Sequence, residues 1–226
     1  MADVIVALDL PSAEEAVAMV DRLPGLAWAK VGATLFVRSG PSLLAGLRRR
    51  GVRVFLDLKW HDIPQQVGGA VRAAVAEGVD LVTVHALGGA RMLAAAAEAA
   101  AGRTRVVAVS VLTSHTGGEY GRVVGREVPD LADEVRRLAG LAVEAGLDGM
   151  VCSPAEARVV RETVGPERWV VVPGIRPAGS PGDDQRRTAT PRAAVTAGAS
   201  HLVVGRPVIG AEDPVAVYHG LWEEAQ

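Results

Sequence analysis

Cysteine, lysine and aromatic residues are scarce in this 226-residue chain, and each shortage excludes something. Cys152 is the sole cysteine, so neither an intramolecular disulfide nor a cysteine-ligated zinc site can form. Eight aromatics (four Trp, two Tyr, two Phe) are too few for a base-stacking platform. Neither sign of charge prevails: 24 Lys+Arg face 26 Asp+Glu, a formal net charge of −2, which gives no broad field to draw in nucleic acid or an anionic membrane. No apolar run approaches the roughly 18 residues of a bilayer span. The start, Met1-Ala2-Asp3-Val4, has an acid where a secretory leader carries Lys or Arg. A cytoplasmic protein is expected. Lysine itself occurs only as Lys30 and Lys59; every other basic residue is arginine.

What is present is a hydrophobic content of 49%, arranged with regularity. Short β-rich apolar runs alternate with Ala/Leu/Arg/Glu stretches of helical period. The runs predict strands at Val4–Asp9, Ala27–Val31, Val52–Lys59, Leu81–His85, Val106–Leu112, Gly149–Cys152, Val170–Pro173 and His201–Gly205. Helices are expected near 12–23, 39–50, 64–77, 89–101, 130–145, 154–164, 191–198 and 214–225. Continuously apolar strands such as Val106-Val107-Ala108-Val109 suit a parallel sheet covered on both faces. Ser12 with Glu15 has capping-box spacing, and Ser153-Pro154 and Thr190-Pro191 pair a cap with a first-turn proline. Gly51, Gly78, Gly146 and Gly198 stand where helices must close ahead of strands. Eight βα units in one chain read as an α/β fold, a (β/α)8 barrel forming a single domain over residues 1–226. The competing doubly wound sheet expects a glycine-rich nucleotide turn after its first strand, and this chain has Asp9-Leu10-Pro11-Ser12.

Barrels of this kind work at the C-terminal ends of their strands. The polar residues falling there are Asp9, Lys30, Asp57, Lys59, Asp62, His85, Thr113, Ser114, Arg176 and Arg206. Residues two apart on a strand share a face, so Asp57 and Lys59 project together, and Asp62 follows just before a helix opening at Pro64. A lysine among carboxylates keeps its proton. Such a lysine suits proton delivery and fits poorly with Schiff-base chemistry, which needs the neutral amine. A solvated ion pair beside a capping aspartate is the plainer alternative.

The segment Pro173–Arg187 reads as a loop, with three Pro and three Gly in Pro173–Gly182, followed by Gln185, Arg186 and Arg187. Taken alone it is a surface connection. Arg176 lies just past one strand end, however, and Gly205-Arg206 past the next, where barrels commonly bind phosphate. A guanidinium matches phosphate geometry, and glycine admits close backbone approach. Thr113 and Ser114 have hydroxyls that can hydrogen-bond a ligand, or form a plain turn. His61, His85 and His115 have no metal-ligand spacing; His85 is expected to be a buried, satisfied strand-end histidine, and Cys152 a core residue. Arg48-Arg49-Arg50 suits the negative end of a helix dipole.

The run Asp57-Leu58-Lys59-Trp60-His61-Asp62-Ile63-Pro64 resembles the signature of the orotidine 5′-phosphate decarboxylases. Other segments agree in order and spacing: Ala7-Leu8-Asp9, Lys30-Val31-Gly32, Leu112-Thr113-Ser114, Val172-Pro173-Gly174-Ile175-Arg176-Pro177, Asp184-Gln185-Arg186-Arg187, Thr190-Pro191 and Val203-Val204-Gly205-Arg206-Pro207. Gln66 departs from the pattern, which often has Thr there, near the ribose. The resemblance implies decarboxylation of orotidine 5′-monophosphate (OMP) without cofactor or metal. Lys59, Asp57 and Asp62 would be catalytic, with Lys59 the proton donor. Asp9 and Lys30 would hold the ribose, and Ile63, Thr113 and Pro173 would also meet the substrate. Arg176, Gln185, Gly205 and Arg206 would hold the phosphate under a closing loop, Gln185 also reaching toward the base. It further implies a homodimer in which Asp62 enters the partner's site. Two rivals remain: a magnesium-dependent sugar-phosphate decarboxylase or aldolase sharing the Asp-x-Lys-x-x-Asp strand, and a non-catalytic sensor of a phosphorylated metabolite.

Overall fold

Each of the eight apolar runs becomes a strand in the computed structural model, which describes residues 1–177 and 188–226. The strands are β1 (Asp3–Ala7), β2 (Trp28–Gly32), β3 (Arg53–Trp60), β4 (Leu81–His85), β5 (Arg105–Val109), β6 (Gly149–Val151), β7 (Trp169–Pro173) and β8 (His201–Val204). All pair in parallel with their neighbours in sequence, and β8 returns to β1 through Asp3↔His201 to Val6↔Val204, closing the barrel. The helices are α1 (Ala13–Arg22), α2 (Ala33–Arg48), α3 (Pro64–Ala76), α4 (Gly89–Ala100), α5 (Gly117–Val124), α6 (Leu131–Glu144), α7 (Ala157–Val164), α8 (Pro191–Thr196), α9 (Arg206–Ile209) and α10 (Pro214–Glu224). None is long and apolar enough to cross a membrane.

Strand periodicity divides the core in two. One face of the strands supplies an interior cluster of Ile5, Ala7, Trp28, Phe55, Leu81, Val107, Val171 and Val203. The other face (Val4, Val6, Ala29, Val31, Val54, Leu56, Val82 and Val84 among them) packs beneath the helices. Toward the C-terminal end the interior face turns polar: Trp28 gives way to Lys30, Phe55 to Asp57 and Leu81 to Thr83. At the N-terminal end an aromatic plug fills the barrel. Trp169 lies 4.1 Å from His201 and 5.9 Å from Trp28, ring centre to ring centre. Asp3 accepts hydrogen bonds from Trp28 Nε1 at 2.9 Å and Arg53 Nη2 at 3.2 Å, and the Arg53 guanidinium covers the Trp28 ring at 4.4 Å.

The boundary signals behave as their chemistry requires. Ser12 Oγ accepts from the Glu15 N–H at 3.2 Å, Thr190 Oγ1 from the Ala193 N–H at 3.3 Å, and Ser153 with Glu156 forms a capping box. Gly51, Gly78, Gly146 and Gly198 all take positive φ (77°, 69°, 79° and 101°), the conformation that ends a helix at low steric cost.

Most boundaries shift by only a residue or two, and four differences are larger. The helix expected near 39–50 is preceded by a further helical piece from Ala33, the two being separated within α2 by a non-helical Gly40 (φ 61°, ψ −163°). Strand β5 ends at Val109, short of Leu112; Ser110 leaves the ladder, its hydroxyl donating to the Val151 carbonyl at 3.0 Å. Helix α5 fills a stretch with no expected element, capped by Thr116 and Glu119 and closed by Gly125. The one-turn α9 follows Gly205 directly.

Candidate active site

The cleft at the C-terminal mouth is lined by Asp9, Lys30, Asp57, Lys59, Thr113, Pro173, Gly174, Arg176, Gly205 and Arg206 over a floor of Ala7, Phe55, Val151, Val171 and Val203. Nine of the residues singled out from sequence therefore meet in one place, brought from β1, β2, β3, β5, β7 and β8 or the loops that follow them.

Charges alternate along one wall. Lys30 Nζ lies 3.1 Å from Asp9 Oδ1 and 3.7 Å from Asp57 Oδ2; Lys59 Nζ lies 2.8 Å from the same Asp57 oxygen. The side chains of Asp57 and Lys30 are 11% and 12% exposed and that of Lys59 is 40%, so the Lys59 ammonium is the one presented to the mouth. Burial pushes the Asp57 carboxyl upward, but Lys59 and Lys30, with hydrogen bonds from Lys59 and Thr83, outweigh it and hold the group below its ordinary range. Asp57 is therefore an anion fixed between two ammonium groups.

Strand β3 is irregular where it carries this pair. Its pairing with β4 steps from Leu56↔Val82 to Trp60↔Val84, and Lys59 takes a φ of 50°. Positive φ is uncommon for any residue with a Cβ and concentrates at functional sites. The displaced Lys59 N–H donates to Thr83 Oγ1 at 2.9 Å, and that hydroxyl donates to Asp57 Oδ1, also at 2.9 Å.

Across the cleft, β7 and β8 lead into Arg176 and Gly205-Arg206. A one-residue bridge joins Ile175 to Ala189: the Arg176 N–H donates to the Ala189 carbonyl at 3.0 Å and the Ala189 N–H to the Gly174 carbonyl at 3.3 Å. This bridge ties the two ends of the loop and keeps Arg176 at the rim. A side chain at Gly205 would point at Asp9, its Cβ 3.4 Å from Oδ2. Glycine there keeps that corner of the cleft open.

Not every expected residue lines the cleft. Asp62 and Ile63 are exposed and lie outside the cleft, Asp62 Oδ1 accepting from the Ile63 N–H at 2.6 Å. Among the described residues of one chain, the partners holding Asp57 and Lys59 are Lys30 and Thr83. Gln185 lies outside the described residues. Ser114 is exposed, whereas Thr113 lines the cleft. His85 is half-buried where full burial was expected; it stacks on His61 at 5.5 Å between ring centres, and its Nδ1 accepts from the Leu87 N–H at 3.4 Å. Burial, then His61, Lys59 and His115, hold its ring below the ordinary histidine range. Cys152 is buried, as expected of a core residue. Sequence reasoning missed Thr83. Its signal was a lone hydroxyl in Leu81-Val82-Thr83-Val84, two residues before a strand end.

Comparison with known proteins gives the relatives of this chain. The model of the orotidine 5′-phosphate decarboxylase / HUMPS family matches residues 2–221. The orotidine 5′-phosphate decarboxylase of Halorhodospira halophila is 55% identical over 216 residues, covering 94% of this chain and 91% of that protein. That of Alkalilimnicola ehrlichii is 52% identical over 224 residues, covering 97% and 94%. The crystal structure of the Lactobacillus acidophilus enzyme of the same name superposes with a TM-score of 0.88 at 35% identity, covering 100% of both chains.

Proposed function

The chain belongs to the orotidine 5′-phosphate decarboxylase / HUMPS family, and from that premise we propose that its cleft converts OMP to UMP and carbon dioxide, with Lys59 as the proton donor. The observation that carries the reading is the Lys59 ammonium, 2.8 Å from Asp57 and facing the mouth, in the same cleft as Arg176 and Arg206. The C6–carboxylate bond breaks, carbon dioxide leaves, and the electron pair stays on C6 in the plane of the ring, where the π-system cannot spread it. A preorganised ammonium stabilises that localised charge and then gives C6 its proton. Asp57 lies beside the departing carboxylate, and its negative charge disfavours the bound ground state relative to the neutral product.

The opposite side of the cleft anchors the nucleotide. Arg176, Gly205 and Arg206 hold the phosphate, with Gln185 alongside. Asp9 and Lys30 hold the ribose hydroxyls, Thr113 the pyrimidine edge, and Pro173 and Ile63 add apolar contact. Binding energy from these remote groups aligns C6 with Lys59. Ile63 is 60% exposed beside Asp62, outside its own chain's cleft, which supports a homodimer in which Asp62 enters the partner's site. The single barrel domain is the catalytic unit and works in the cytoplasm.

The test is direct. Purified protein with a chelator and OMP should deplete the substrate's ultraviolet absorbance, and Lys59→Ala should lose that turnover while keeping its fold. Absence of turnover by folded wild-type protein overturns the reading. Activity that vanishes with chelator and returns with magnesium assigns the cleft to the metal-dependent sugar-phosphate chemistry instead.

A further inference from the structure

Lys59 and Asp57 hold their relative positions through a group on a neighbouring strand. Between Leu56 and Trp60, β3 advances four residues while β4 advances two, from Val82 to Val84. The Lys59 amide has thus left the ladder and needs another acceptor. Thr83 takes its place in that ladder with a side chain: Oγ1 accepts from the Lys59 N–H at 2.9 Å. Having accepted there, the hydroxyl directs its single proton to Asp57 Oδ1, again at 2.9 Å. Asp57 Oδ2 receives Lys59 Nζ at 2.8 Å. The four groups form a closed ring, from the lysine backbone through the threonine hydroxyl and the carboxylate back to the lysine ammonium. Thr83 is 1% exposed, so no solvent molecule competes for the hydroxyl.

We propose that Thr83 is a positioning residue for the decarboxylation, fixing at once the left-handed backbone of Lys59 and the rotation of the Asp57 carboxylate. The inference rests on the reading of the cleft given above. It does not require Thr83 to touch substrate. A non-glycine residue held at positive φ persists only where its surroundings over-determine it, and in β3 the over-determining bond is the one to Thr83.

Valine has the shape of threonine without the hydroxyl, and serine keeps the hydroxyl without the methyl. In OMP turnover, Thr83→Val should lower kcat about tenfold to a hundredfold, the scale of an ångström misplacement. Its KM should move less than about threefold, because the nucleotide anchors are elsewhere. Thr83→Ser should keep kcat within about threefold of wild type. The acid limb of the kcat profile should move to higher pH in the valine variant and stay in place in the serine variant, since Asp57 loses a hydrogen bond that favours its charged form. Titration of the Asp57 carboxyl carbon by NMR reads the same shift without turnover, so the positioning role is judged even for a protein inactive toward OMP. Should valine prevent folding, Thr83→Ala against Thr83→Ser makes the comparison without added bulk. Equal losses in the valine and serine variants, or a valine variant with unchanged kcat and unchanged Asp57 titration, overturn the proposal.

Discussion

At the scale of single residues, the two lysines of an otherwise arginine-only chain both lie in the cleft. A guanidinium holds its proton too tightly to donate it readily, which fits the proton delivery proposed for Lys59. Lys30 answers to space: one nitrogen sits 3.1 Å from Asp9 and 3.7 Å from Asp57, and a planar fork is not a compact substitute for it. His201, at the other end of the barrel, carries a pH dependence of stability. Burial foremost, then Arg53 and Arg161 against the pull of Asp3, press its ring down to about 4. The folded pKa lies below the unfolded one, so the unfolded chain binds a proton that the folded chain refuses. Stability is full above the unfolded value near ~6.5 and declines as pH falls toward about 4. Between pH 7 and pH 5 the loss should be about 2 kcal/mol by denaturant titration, and His201→Gln should flatten it. The depressed carboxyls of Asp57 and Glu134 act in a lower window: their stabilisation is present above the unfolded carboxylate range and is lost as pH falls through it.

At the scale of elements, α5 and α6 are joined through one buried carboxylate. Tyr120 on α5 donates to Glu134 Oε1 at 2.9 Å, Arg137 donates to both Glu134 oxygens at 2.8 and 3.1 Å, and Arg126 adds a further short contact. The bonds from Arg137 lead in holding Glu134 down at about 2, while burial and Glu134 push Tyr120 up to about 12. Glu134→Gln keeps the shape and removes the charge. It should lower unfolding free energy by about 1–3 kcal/mol in denaturant titration, with far-ultraviolet circular dichroism unchanged. These two helices also mark where sequence reading succeeds and where it stops. Helix α6 announces itself by a long apolar stripe, whereas α5 is eight residues with Gly117, Gly118 and Gly121 inside it, and only Thr116 with Glu119 marked its start. The eight strands were legible because burial on both faces leaves short apolar runs that end at a polar residue. The common face of Asp57 and Lys59 followed from period-two geometry. The register step and the φ of Lys59 did not, because lysine does not advertise a left-handed backbone as glycine does, and Thr83 belongs to a partner strand more than twenty residues away.

At the scale of the whole molecule, the cleft built by one chain lacks Asp62, which the proposed dimer would supply from the partner. An isologous pair would give each protomer the other's Asp62 and Ile63. Specific activity should then hold steady at high enzyme concentration and fall on dilution, in step with the monomer fraction measured by sedimentation. A monomer with full activity refutes the shared site. The aromatic plug at the N-terminal end has a different consequence, one of traffic. Among the described residues, Trp28, Trp169 and His201 pack together at that end, and side chains fill the interior of such a barrel so that it is no pore. Nucleotide must come in, and carbon dioxide and product must go out, by a single doorway. In the proposed reaction, the proton given up by Lys59 must also return from bulk water through that opening. The molecule is thus a cul-de-sac, in which each turnover has to clear the entrance before the next can begin.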